Sequence, residues 1–102
     1  MAKAFLISPE HKTIESIDVS DAGEVATLVG YDTIESDVVG DGPDRLFFDE
    51  ECFIRGASGR FQIDKLIPVA GKGVLVGVSD DGATLTDVTI SQDELRSRTR
   101  FT

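Results

Sequence analysis

The sequence predicts an α+β fold: a single mostly antiparallel or mixed sheet of about five to six strands with two short helices. Three observations lead to this prediction. Short apolar segments bounded by turn residues outnumber helix signals by about six to two. Both helix signals are short, and each follows a pair of segments typical of a hairpin. The most apolar stretch, Lys65–Gly82, contains the run Val74–Ser79, which we expect to be the central strand.

The predicted strands share β-branched and aromatic residues and are separated by turn signals. In chain order they are Ala2–Ser8, Thr13–Val19, Tyr31–Val39, Arg45–Asp49, Val74–Ser79 and Ala83–Ile90, with Arg60–Asp64 as a further short strand or irregular segment. The four residues 9–12 indicate a hairpin between the first two strands. Asp81-Gly82 indicates a second hairpin, closed by a type I′ turn.

Each predicted helix begins at a capping residue. Ser20 or Asp21 can cap a first helix of two to three turns, which Gly30 ends. Ser91 and Glu94 form a capping box, which predicts a last helix of about two turns. We expect one domain over residues 1–95, followed by a short basic tail at 96–102. This tail is interpreted either as a solvated helix end or as a segment that contacts acidic residues on the surface of another copy.

Length and composition limit the classes of function. A chain of 102 residues is one domain with one modest core. No apolar run is long enough to span a membrane, and the first residues lack the pattern of a signal peptide. The single cysteine, Cys52, fits a reducing compartment, so a cytoplasmic protein is expected.

Charge is the property that departs most from the average. The chain has 19 acidic and 10 basic residues and a formal net charge of −9. From Glu10 to Glu51, thirteen acids face only Lys12 and Arg45. Nucleic acid and anionic membranes repel such a surface, so neither direct nucleic-acid binding nor membrane binding is predicted.

The glycines of the apolar stretch do not fit a phosphate-binding loop. The run from Gly71 to Gly77 leads into a strand rather than a helix, and its spacing is one residue too long for a dinucleotide site. Lys72 is followed by Gly73, where a P-loop requires Ser or Thr. We therefore expect a turn at Gly71 and Gly73 and a close approach of a neighbouring segment at Gly77.

Other candidate chemistry is equally weak, so no catalytic residue, cofactor or metal site is predicted. The segment Gly56–Gly59 does not have its second glycine at the position that a nucleophile elbow requires. His11, the histidine that a catalytic triad would need, is distant from it in sequence. Cys52 follows two acids, a setting that disfavours the thiolate, and is expected to be a small packing residue. Neither Asp-Gly pair has the ligand spacing of a calcium loop.

Five segments together resemble a family of small proteins from phages, plasmids and bacteria that is catalogued only as a domain of unknown function. These segments are KAFLISP, IESIDV, LVGYDTIE, LFFDEE and IPVAGKGVLVGVSDDG. The resemblance implies a compact α+β domain in a mobile-element setting and carries over no catalytic residue. The chain departs from the family pattern after Asp49-Glu50, where Cys52 and the Gly56–Gly59 loop replace a glycine turn followed by a loop containing Pro and Asn.

The leading hypothesis from the sequence is a non-enzymatic binding domain whose acidic face contacts a protein partner with a basic surface. In a mobile-element setting, this domain would mimic nucleic acid and occupy the nucleic-acid-binding site of a host protein. The acidic face is assigned to Glu15, Asp18, Asp32, Glu35, Asp37, Asp41, Asp44, Asp49, Glu50 and Glu51.

Two other classes of function stay open at this point. One is a structural domain that forms a homo-oligomer through strand edges or the arginine tail, with the acids serving only solubility. The other is an enzyme, which would require acids that converge in a concave site.

Overall fold

The computed structural model describes residues 2–30, 34–40, 42–51, 59–64, 66, 68–82 and 84–101. It contains two helices, a six-stranded main sheet and a second sheet of three strands, and every strand pair is antiparallel. The α+β prediction is therefore confirmed, and the small second sheet is an addition to it. The predictions for Cys52 and for most of the Gly56–Gly59 loop concern residues 52–58, which lie outside the described residues.

The elements follow one another as β1 (Ala2–Ser8), β2 (Thr13–Val19), α1 (Ala22–Val29), β3 (Ile34–Val38), β4 (Asp44–Asp49), β5 (Arg60–Ile63), β6 (Val69–Ala70), β7 (Gly73–Val78), β8 (Leu85–Thr86), α2 (Gln92–Arg98) and β9 (Thr99–Phe101). The main sheet has the order β2-β1-β7-β4-β3, and β8 pairs with the end of β7. The second sheet has the order β6-β5-β9.

Strand β7 is the central strand, as predicted. Leu75 pairs with Phe5 of β1 on one side and with Leu46 of β4 on the other. Val74, Leu75 and Val76 are all fully buried. A strand with two covered faces needs apolar residues at successive positions, which explains why this run does not alternate with polar residues.

The two faces of the main sheet pack against different partners. On one face, α1 places Val25 and Val29 over Val74 and Val76. On the other face, residues of the second sheet and of α2 join the core that contains Leu75. The main sheet therefore forms the middle layer of the described structure, between α1 and the second sheet.

Both predicted hairpins form, but the second one differs from the prediction. The N–H of Gly82 donates to the carbonyl of Ser79 at 2.8 Å, so Asp80 and Asp81 are the central residues of the turn. Gly82 has a φ of 74°, whereas Asp81 does not have a positive φ. A type I′ turn needs a positive φ at both central residues, so the prediction of this turn type was wrong.

The strand that returns after this turn is much shorter than expected. It was predicted over Ala83–Ile90, but β8 contains only Leu85 and Thr86. Beyond β8 the chain bonds to other segments: the N–H of Val88 donates to the carbonyl of Lys3 at 2.9 Å. The backbone groups that would have extended the hairpin are used there instead.

Gly77 allows this crossing segment to approach β7 closely, as predicted. A Cβ atom placed on Gly77 would lie 2.7 Å from the carbonyl oxygen of Asp87 and 3.0 Å from that of Thr86. Both contacts involve backbone, which cannot move without disturbing β8.

The segment predicted as a tail belongs to the folded body. Residues 96–98 complete α2, and β9 pairs with β5, with Phe101 opposite Phe61. Phe101 is half-buried against the core that contains Phe61, so an apolar contact holds the end of the chain in the second sheet.

We predict that Val76→Asp prevents folding, because it places an unpaired carboxylate at a fully buried position of the central strand. Val38→Asp is the matched control, since Val38 is 47% exposed, and it should change the free energy of unfolding by less than about 1 kcal/mol. Circular dichroism and urea unfolding measure both effects. Cooperative unfolding of Val76→Asp with a near-normal midpoint would contradict the central position of β7.

Candidate functional site

The antiparallel pairing collects acidic residues at one end of the main sheet. The last residues of β2, β3 and β7 and the first residues of β1 and β4 lie at this end. The first turn of α1 and the turn between β7 and β8 extend from it. We call this region the acidic end, and its described exposed or half-buried acids are Asp18, Asp21, Glu24, Asp37, Asp80, Asp81 and Asp87.

Several of these carboxylates are held by hydrogen bonds from the backbone. Asp21 caps α1 and accepts from the N–H of Glu24 at 2.9 Å, and the carboxylate of Glu24 accepts from the N–H of Ser20 at 3.1 Å. Asp87 accepts from the N–H of Lys3 at 2.9 Å. These bonds fix the positions of the negative charges relative to the sheet, because backbone donors at strand and helix ends are themselves fixed.

Two bases lie among these acids in the described part of the chain. Lys3 is paired in register with Asp18 on the neighbouring strand. Arg45 is half-buried, and its Nε donates to the hydroxyl of Ser36 at 3.1 Å. The acidic end therefore keeps a clear excess of negative charge. It extends from β2 to β3, which is four strand spacings or roughly 19 Å.

The structure separates the residues that the sequence assigned to one acidic face. Asp18 and Asp37 belong to the acidic end. Four others lie towards the opposite end of the sheet, namely Glu15, Glu35, Glu50 and Glu51. Asp32 and Asp41 lie outside the described residues.

The last two predicted residues, Asp44 and Asp49, are buried, with exposures of 4% and 2%. Asp44 accepts hydrogen bonds from the N–H and the hydroxyl of Thr89 at 2.9 and 2.8 Å, and from the N–H of Ile90 at 3.2 Å. Asp49 accepts from the N–H of Glu51 at 3.1 Å. Their carboxylates serve internal bonding, so neither belongs to an exposed contact surface.

The sequence hypothesis did not include five residues of the acidic end, which are Asp21, Glu24, Asp80, Asp81 and Asp87. Those in the second half of the chain are far in sequence from the acidic segment 10–51. Only the pairing of β7 with β1 and β4 brings them to the same end of the sheet. Strand order could have identified them, but strand order is not encoded in local residue patterns.

The opposite end of the sheet carries mixed charge and a cavity. This cavity has a volume of about 420 Å³, and its lining includes Glu10, His11, Lys72 and the last turn of α1. The N–H of Gly71 donates to the carbonyl of Gly59 at 3.4 Å, so it is not available to a ligand. A helix carboxyl end also disfavours phosphate, because its carbonyls carry partial negative charge.

An ion pair on another part of the surface ties α2 to the end of β5. The Nε of Arg98 lies 2.9 Å from both carboxylate oxygens of Asp64, and Arg98 Nη2 bonds to the same carboxylate. The hydrogen bonds from Arg98 lower the pKa of Asp64 below its usual range. Asp64 has a φ of 51°, and its N–H donates to the carbonyl of Arg98 at 3.0 Å.

Within the described ranges, no three His, Cys, Asp or Glu side chains are grouped so that they could hold a metal ion. Neither described helix is long and apolar enough to cross a membrane. Comparisons with protein-family models, with curated proteins and with solved structures gave no match.

We predict that Lys72→Ala leaves the fold unchanged and that neither the wild-type protein nor this variant binds phosphate, because Lys72 is exposed beside a helix carboxyl end. The measurement is a thermal unfolding curve together with an NMR titration with inorganic phosphate and pyrophosphate. We expect no saturable shift at Gly71 or Gly73. A saturable shift that Lys72→Ala abolishes in a stable protein would restore the phosphate-loop interpretation.

We predict that Asp64→Asn lowers the free energy of unfolding by up to about 1 kcal/mol at pH 7, since the pair with Arg98 is partly exposed. The folded-state pKa of Asp64 is lowered, so this stabilisation is complete above the unfolded-state value of about 3.9 and is lost as the pH falls through the folded-state value. Urea unfolding at pH 7 and at about pH 2 measures the difference.

The matched control for that experiment is Asp93→Asn, whose carboxylate is 98% exposed and lies 3.6 Å from Arg96. It removes the same charge, so it should have the smaller effect at pH 7. An Asp64→Asn effect that does not decrease in acid would show that the carboxylate charge is not its cause.

Proposed function

We propose that this chain is a non-enzymatic binding domain and that its acidic end contacts a basic surface of a protein partner. The observation that carries the proposal is the concentration of acids from separate elements at one end of the sheet, with only Lys3 and Arg45 among them in the described residues. Solubility alone requires a net charge, but it does not require that the charge be collected in one region.

A partner that itself binds nucleic acid fits this arrangement best. Its binding site is adapted to a duplex backbone that carries one charge per roughly 1.7 Å. Carboxylates held on a rigid sheet and on a helix cap can present a comparable field without the cost of ordering flexible side chains. In the mobile-element setting that the resemblance implies, the domain would act as an inhibitor of a host protein.

The form of this region supports binding rather than catalysis. A shallow groove of about 220 Å³ lies there between the β3–β4 and β7–β8 turns, and Asp80 is the only acid among its lining residues in the described part of the chain. The other acids are spread along the end of the sheet. Two carboxylates that act together as acid and base would have to converge on one substrate bond.

Contacts within the chain also weaken the homo-oligomer alternative that uses the arginine segment. Arg98 is bound to Asp64 and lies 3.9 Å from Glu94, and Arg96 lies 3.6 Å from Asp93. A contact between copies through these side chains would have to replace the existing pairs.

We predict that a double charge reversal at the acidic end, Asp18→Lys with Asp80→Lys, abolishes capture of the partner. Both carboxylates are exposed, and neither is a cap of α1. The measurement is affinity capture from a host lysate at about 0.05 M and about 0.5 M salt, since exposed charge pairs are screened at the higher concentration.

The control is Glu10→Lys with Glu50→Lys, which makes the same change in net charge towards the opposite end of the sheet. We expect this control and the wild-type protein to recover the same basic protein at low salt and to lose it at high salt. Equal recovery by both double variants, or a partner that is insensitive to salt, would contradict the proposal.

A further inference from the structure

Strand β3 forms one edge of the main sheet, and its pairing shows which backbone groups face outwards. It pairs with β4, and no other described strand lies beside it. The N–H of Val39 donates to the carbonyl of Asp44 at 2.9 Å. In antiparallel pairs the bonded positions alternate, so Asp37 and Glu35 also bond to β4. The N–H and C=O groups of Ile34, Ser36 and Val38 therefore point to the open edge.

The side chains of β3 give this edge two different sides. Glu35 and Asp37 lie on one side of the strand, and Ile34 and Val38 lie on the other, because alternate residues face opposite ways. Val38 is 47% exposed and is the exposed large apolar residue among those described. An incoming strand would thus meet two carboxylates on one side and, on the other, the apolar side chains of Ile34 and Val38 with Ser36 between them.

The opposite edge of the main sheet, formed by β2, is not equivalent. The Nε2 of Gln92 in α2 donates to the carbonyl of Ile14 at 2.5 Å. One of the outward carbonyls of β2 is therefore already bonded within the chain. Covering an edge in this way is a common protection against unwanted strand pairing, and β3 has no such cover among the described residues.

A second copy of the chain is a poor partner for β3. If two β3 strands paired antiparallel about Ser36, Glu35 of one copy would lie opposite Asp37 of the other, twice in the interface. Like charges at directly opposed positions destabilise a strand pair. The same carboxylates would stabilise a strand that carries basic residues at alternate positions.

We propose that β3 is the docking edge for an extended segment of the basic partner, in which basic residues alternate with apolar ones. The inference rests on the function proposed above. Backbone bonds to Ile34, Ser36 and Val38 would add this segment as a further strand, which is a general mode of peptide recognition. Its basic side chains would lie against Glu35 and Asp37, and its apolar side chains against Val38 and Ile34.

The probe is a capped peptide in which three lysines alternate with three valines, compared with a peptide of the same composition in which the lysines are grouped. We expect the alternating peptide to bind at least tenfold more tightly in fluorescence anisotropy. Hydrogen exchange read by NMR should show new protection at the N–H groups of Ser36 and Val38. It should show little change at Glu35 and Asp37, which already bond to β4.

Two pairs of variants isolate the edge from general charge attraction. Ser36→Pro removes an outward N–H, which an edge strand tolerates, whereas Ser36→Ala keeps that N–H and removes only the hydroxyl. We expect Ser36→Pro to raise the dissociation constant at least tenfold and Ser36→Ala to change it less than threefold. Glu35→Lys with Asp37→Lys should weaken binding at least tenfold, whereas Glu10→Lys with Glu15→Lys, two exposed acids in and beside the turn between β1 and β2, should change it less than threefold.

The results separate this inference from the proposed function. If both peptides bind equally and Ser36→Pro behaves like Ser36→Ala, the docking edge is wrong, and salt-sensitive binding at the acidic end can still hold. If the lysine peptides bind neither region at low salt, both proposals fail. If Ser36→Pro does not fold, the comparison of the two double charge reversals decides the outcome.

Discussion

Burial of β7 on both of its faces is the constraint on which the rest of the structure depends. Val74, Leu75 and Val76 leave no polar side to this strand, so each face of the sheet must be covered by another layer. Helix α1 covers one face, and the second sheet with α2 covers the other. Within the main sheet, the exposed charged residues consequently lie at its edges and ends, where water solvates them.

The acidic residues do not all serve the same purpose. Asp44 is buried and binds three donors on Thr89 and Ile90, so it joins the start of β4 to the segment that leads into α2. Asp64 forms a partly exposed pair with Arg98 and links α2 to β5. Net charge alone therefore overstates the surface available to a partner. The proposed binding rests only on the acids that remain exposed at one end of the sheet.

Local features of the fold were predictable from the sequence. Asp21 and Ser91 cap the two helices as expected, because a capping side chain bonds to a backbone group only three residues away. The continuous apolar run identified β7. The grouping of the acids was not predictable, because it depends on which strands are neighbours. The same limit hid the burial of Asp44, whose partners are 45 and 46 residues further along the chain.

The end of the chain shows a related limit of local patterns. The arginines after Leu95 suggested a solvated tail, and the pairing of Phe101 with Phe61 gave no local signal. A three-residue strand is too short to have a recognisable alternation. The position of β3 at the edge of the described main sheet likewise depends on strand order, since its sequence resembles that of β2.

The pairing of β1 with β7 has a consequence for synthesis of the protein. Ala4 of β1 cannot pair with Val76 of β7 until Val76 has been synthesised. At a synthesis rate of about 5–20 residues per second, this takes roughly 4–14 s. Throughout that interval the apolar sides of the amino-terminal hairpin have no central strand to cover them. The segment made meanwhile is the most acidic part of the chain. Repulsion between the negative charges of this segment on neighbouring chains opposes aggregation until the central strand is made.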